Sequence, residues 1–83
     1  LNRNWPNPFN PSTTFQFSIP QSSHVALEIV NTLGQSVTTL ISERLNPGVY
    51  SATWNAAGFA SGIYYYRFHA GQFMQTKKLN LLR

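Results

Sequence analysis

Gly62-Ile63-Tyr64-Tyr65-Tyr66-Arg67-Phe68 is the stretch whose reading decides the fold. It is opened by glycine, contains no proline, and is built almost wholly of aromatic and β-branched side chains, so it reads as a strand near the middle of a sheet. Tyr64, Tyr66 and Phe68 share one face, and Ile63, Tyr65, Arg67 and His69 the other. That distribution predicts burial on both faces at the start of the strand and half-exposure at its end. Ala70-Gly71 is short enough to reverse the chain, with glycine supplying a positive φ. The run from Phe73 to Leu82 then returns beside the first strand.

Working outward, the remaining segments alternate in the same two-residue period. Phe15, Phe17 and Ile19 alternate with Gln16 and Ser18 in a strand over 14–19 that Pro20 ends. Val25, Leu27 and Ile29 point inward in the next, with His24, Ala26 and Glu28 outward. Asn31-Thr32-Leu33-Gly34-Gln35 reads as a turn, with Asn31 and Gly34 tolerating positive φ and Leu33 tucked underneath. A weaker strand covers 37–41, and Glu43-Arg44 with Asn46-Pro47-Gly48 makes the next reversal. Tyr50, Ala52 and Trp54 share a face of the strand over 49–54, and Phe59 plugs one end of the fold from a loop. In the last strand Phe73, Leu79 and Leu81 fall on one side and Met74 and Leu82 on the other. Either a bulge near Lys77-Lys78 or burial on both faces accounts for that lapse of phase.

Six such strands, or seven with the N-terminal segment, joined at spacings of about 8–12 residues, predict an all-β fold: an immunoglobulin-like antiparallel β-sandwich. No useful length of helical period is present. The 83 residues suffice for one domain, 1–83, burying roughly 60–65% of the unfolded surface. Residues 1–13 form a proline-rich arm. Asn4-Trp5-Pro6-Asn7-Pro8-Phe9-Asn10-Pro11 excludes helix, and Trp5 and Phe9 are placed to anchor the arm on or across the sheet as a cover for its edge. Leu1 in place of methionine points to a processed or excised piece.

Cysteine is absent, and charged residues make up 10% of the chain, against roughly 25% in an average soluble domain. No disulfide frame or thiolate metal site can form. A coat of Ser, Thr, Asn and Gln suits an extracellular or assembled protein, because repulsion between copies is small. No membrane-spanning run and no signal peptide is visible.

The collinear stretches Asn4 to Thr14, Val30-Asn31-Thr32-Leu33-Gly34-Gln35, Asn46-Pro47-Gly48, Ala60 to Phe68 and Lys77-Lys78-Leu79 to Arg83 resemble the type-A C-terminal sorting domain of the type IX secretion system. The Asn-Pro-Phe-Asn-Pro block combined with the glycine-aromatic strand carries most of the likeness. The resemblance implies a non-catalytic sandwich recognised by an outer-membrane translocon and commonly removed by a sortase-like peptidase. More distantly, the chain is similar to the immunoglobulin-like domain of the flagellar hook-capping protein, an assembly module. Trp5 stands where the family usually has tyrosine and Arg83 closes the chain in place of lysine. The acidic residues common in the family are reduced to Glu28 and Glu43, which favours association between copies.

Aspartate is missing and the two glutamates lie on different segments, so a carboxylate pair or a Ser-His-Asp triad lacks its parts. His24 and His69, at strand ends and facing away from the core, want further ligands that the sequence hardly offers, and calcium wants more carboxylates still. No cofactor is implied. The net charge of +4 comes from scattered residues, and Lys77 and Lys78 point to opposite faces of a strand, which argues against a phosphate-tracking stripe and so against nucleic acid.

Recognition or assembly is therefore expected to rest on Trp5, Asn7, Pro8, Phe9, Asn10 and Pro11 in the arm, and on Gly62, Tyr64, Tyr66, Lys77, Lys78, Leu79, Leu81 and Arg83 in the last hairpin. The expected partner is outer-membrane secretion machinery, met by strand addition and guided by the basic C-terminal residues, at an extracellular or bacterial cell-surface location. A different reading makes the chain a structural subunit of an extracellular filament or surface layer, its partner an identical copy joined by edge or arm exchange. A third is a carbohydrate-binding module using Trp5, Tyr50 or Tyr65. O-linked glycan on the many Ser and Thr residues, and docking to surface lipopolysaccharide, are also open.

Overall fold

A computed structural model describes residues 12–81, which form six strands and no helix. They are β1 (Ser12–Ile19), β2 (Ser23–Val30), β3 (Ser36–Leu45), β4 (Gly48–Asn55), β5 (Gly62–Ala70) and β6 (Phe73–Leu81). Two antiparallel sheets result: β1 pairs with β4, and the other four lie in the order β3-β2-β5-β6. The fold is thus the sandwich predicted from the two-residue period, with β5 interior to its sheet. The seventh strand expected from the proline-rich arm falls outside the described residues.

Alternation sets the core. Val25, Leu27 and Ile29 from β2 are almost fully excluded from solvent, and Phe15, Trp54, Ala56 and Leu81 close over Leu27 and Ile29. Between the sheets the filling is aromatic. Phe15 meets Tyr66 at a centroid distance of 4.8 Å and Phe17 meets Phe68 at 5.0 Å, which lays β1 over β5. Trp54 packs edge-on against Tyr64 at 5.4 Å, and Phe59 reaches Trp54 from its loop at 5.3 Å, so the predicted plug is in place. Rings at these separations contribute beyond the area they bury, about 0.5–1.5 kcal/mol per pair. In a core without disulfides they are a main source of cohesion.

Four local expectations are corrected. β5 is exposed at Gly62 and Ile63, where burial on both faces was expected, while its end is half-buried as expected. The cause is that Ile63 lies on the outer face of the four-stranded sheet, which no layer covers among the described residues. Glu43 and Arg44 are not part of a reversal: they pair with Val25 and His24, and β3 runs on to Leu45. The register of β3 shifts twice against β2, which is why its pattern looked weak. Leu33 is 80% exposed rather than tucked away. Asn31 orders that turn through its side chain and not through a positive φ: its Oδ1 accepts from the backbone N–H of Leu33 at 2.9 Å and of Gln35 at 3.0 Å. Finally, β6 has neither a bulge nor two buried faces, as described next.

Candidate functional site

The hairpin of β5 and β6 is regular throughout. Its pairing runs without a break from Ala70 opposite Phe73 to Gly62 opposite Leu81. Gly71 takes a φ of 61° in the two-residue connection, and its N–H donates to the carbonyl of His24 at 3.1 Å, tying the turn to β2. Unbroken register puts Phe73, Gln75, Lys77, Leu79 and Leu81 on one face and Met74, Thr76, Lys78 and Asn80 on the other. The apparent lapse of phase in the sequence comes from Met74, which is 64% exposed and belongs to no core.

β6 is an outermost strand of its sheet, and every residue from Phe73 to Lys78 is exposed. Only its end is held down, Leu79 half-buried and Leu81 at 7% exposure in the core. Four strands are faced by two, so the inner side of β6 looks onto an open groove of about 630 Å³ between β1 and β6. Phe15, Phe17, Phe68, Phe73, Lys77 and Leu79 are among its walls. A second hollow of about 620 Å³ beside Pro20 and the Gly71 turn shares Ser18, Phe68 and Phe73 with it. The groove is apolar below and basic at one rim. Backbone groups on a free strand edge next to such a groove can accept an extended segment by β-pairing, while the groove selects its side chains.

Of the residues expected to act, Gly62, Lys77 and Lys78 lie exposed on the hairpin, the two lysines on opposite faces. Tyr64 and Tyr66 face inward against Trp54 and Phe15 and serve packing there. Trp5, Asn7, Pro8, Phe9, Asn10, Pro11 and Arg83 lie outside the described residues. Sequence reasoning missed two groups. The groove walls Phe17 and Phe73 become visible only once β1 and β6 are known to be neighbours across the sheets. The tyrosine clamps carried a signal, the repeated Gly-Val-Tyr and Gly-Ile-Tyr: Tyr50 donates its hydroxyl to the Asn46 carbonyl at 2.6 Å, and Tyr64 to the Ala60 carbonyl at 2.8 Å. Each pins the loop before its strand. Tyr50 is further stacked on Phe17 at 5.9 Å, so its ring packs across the β1–β4 pair.

Charged and ligating groups do not converge. Among the described residues the ion pair is that of Arg67 Nη1 with Glu28 Oε1 at 3.4 Å, a partly exposed cross-strand contact. No cluster of three or more His, Cys, Asp or Glu side chains occurs among them. No helix there is long and apolar enough to cross a membrane, which leaves strand-built membrane proteins unaddressed.

Among the described residues the sandwich presents an outermost strand edge beside an aromatic groove. The family follows from comparison: a sequence model described as the secretion system C-terminal sorting domain matches residues 3–81, and the chain belongs to that family. No curated protein and no solved structure matches it. As a type IX sorting tail, it marks the protein that carries it for export out of the cell.

Proposed function

We propose that the domain is a non-catalytic address read at its last hairpin, where an outer-membrane translocon adds a strand to β6 and leaves the cargo at the cell surface or free outside it. The observation that carries this reading is the exposure of β6 from Phe73 to Lys78 at the rim of the sheet. Main-chain pairing supplies affinity in such a contact, and Lys77 and Lys78 orient an acidic receptor before it forms. Both lysines are exposed, so their reversal leaves the core intact.

The test is a cargo fusion carrying Lys77→Glu with Lys78→Glu, beside one lacking residues 79–83. Export is expected to fall in both while circular dichroism of the lysine variant stays unchanged. Normal export of the folded double variant and of the truncation would refute the reading. A second reading, a filament subunit, is favoured by the fact that β3 and β6 both end their sheet, so that copies can join edge to edge.

A further inference from the structure

We infer that the outer face of the four-stranded sheet docks onto an anionic membrane surface, meeting lipid phosphate headgroups with a diagonal stripe of basic side chains: Arg44, His24, His69, Arg67 and Lys78. This is the side away from the groove, and it stands apart from how the address at β6 is read.

The stripe is a product of register. Val25, Leu27 and Ile29 are buried beneath β2, so His24, Ala26 and Glu28 point out of the sandwich. Arg44 of β3 lies opposite His24, while His69 and Arg67 of β5 lie opposite Ala26 and Glu28. Lys78 of β6 lies opposite Tyr65, the next residue after Arg67 on that face of β5. Each basic group is therefore about 5–8 Å from its neighbour, and the row crosses all four strands over about 25 Å. Charges that look scattered in the sequence are gathered by pairing: of the described Lys and Arg side chains, Arg44, Arg67 and Lys78 share this face and Lys77 has the other.

These groups do not meet at a point, as a metal or catalytic centre requires, but spread across a plane. Glu28 is the one carboxylate on that face among the described residues, and Arg67 engages it at 3.4 Å. Glu43 lies opposite Val25 and so belongs to the other face. Spacings below the Debye length of about 8–10 Å let neighbouring cations act together on one leaflet. Two observations favour a lipid surface over a soluble polyanion. The groove lies on the other side of the sheet, so the stripe meets its ligand as a plane. Ile63 and Met74, 44% and 64% exposed, share the face and flank the stripe. A soluble anion leaves them in water, whereas the boundary of headgroups and acyl chains covers them.

The test is flotation of the chain with vesicles of phosphatidylglycerol and phosphatidylcholine, beside vesicles of phosphatidylcholine alone. The chain is expected to float with the anionic vesicles at low salt and to be released as salt rises. Arg44→Glu with Lys78→Glu is expected to weaken binding at least about tenfold, since each cation adds to the attraction. Lys77→Glu, one residue away but on the opposite face, is expected to retain binding. Met74→Ser, which leaves the charge unchanged, is expected to weaken it several-fold. Far-ultraviolet dichroism verifies folding, and Arg44→Gln with Lys78→Gln replaces the reversal should that variant unfold. No binding to anionic vesicles, or an equal loss in Lys77→Glu, overturns the proposal. Binding to soluble polyphosphate as tight as to vesicles and indifferent to Met74→Ser also overturns it, and assigns the stripe to a soluble polyanion. None of these measurements involves the secretion machinery, so the outcome is independent of the export assay.

Discussion

Tyr64 shows how one residue serves two levels of structure. Its ring fills space against Trp54 while its hydroxyl holds Ala60, four residues upstream, so strand and preceding loop are fixed by the same side chain. Removing only the hydroxyl, Tyr64→Phe, is expected to cost about 0.5–1.5 kcal/mol, the usual net worth of one hydrogen bond. A urea midpoint measured by far-ultraviolet dichroism checks this, and an unchanged midpoint would show that the clamp contributes nothing. Trp54 offers the opposite case. Its indole Nε1 is buried with no hydrogen-bond partner among the described residues, a state that costs about 1–3 kcal/mol where nothing else supplies one. The core tolerates this because the same ring touches both Phe59 and Tyr64.

Among the elements, the terminal hairpin depends most on its turn. Gly71 sits at a φ of 61°, and a Cβ there would meet only Ser23 Cβ at an ordinary 3.6 Å. The penalty for Gly71→Ala is therefore conformational rather than steric, about 1 kcal/mol, and Gly71→Asn should recover part of it because asparagine enters the left-handed region more readily. Thermal melts of the two variants check the order. Equal destabilisation by both would show that the backbone N–H bond to His24, and not φ, sets the limit. The hairpin also shows why β6 was hard to read. Hydrophobic residues on an edge strand obey pairing and solubility more than burial, so Met74 carried no information about the inner face.

For the molecule as a whole, the architecture was legible because two-residue alternation in β1, β2 and β4 names the core directly, and Phe15, Leu27, Ile29 and Trp54 are where that period placed them. Gly62 to Phe68 was correctly central, and the turn at Gly71 correctly tight. The groove was not legible, since it arises from which strands face one another across two sheets, a relation that no local pattern encodes. The turn at Asn31 was legible, with Gly34 at a φ of 82°, but the part played by the Asn31 side chain was not, because side-chain acceptance and tolerance of positive φ favour the same residue type. At this scale the two functional readings part. A domain that works as an address stays monomeric in sedimentation at high concentration, whereas regular fibres in electron micrographs would favour the filament reading.

The order of strands along the chain carries one more consequence. β2 gains its second neighbour only when Gly62–Ala70 arrives, and β5 in turn needs Phe73–Leu81 beside it. A ribosome product that stops short of those residues lacks β5 and β6 and leaves β2 with β3 alone beside it. A broken polypeptide of that kind is expected to go unexported, because the mark behind the cargo is never completed.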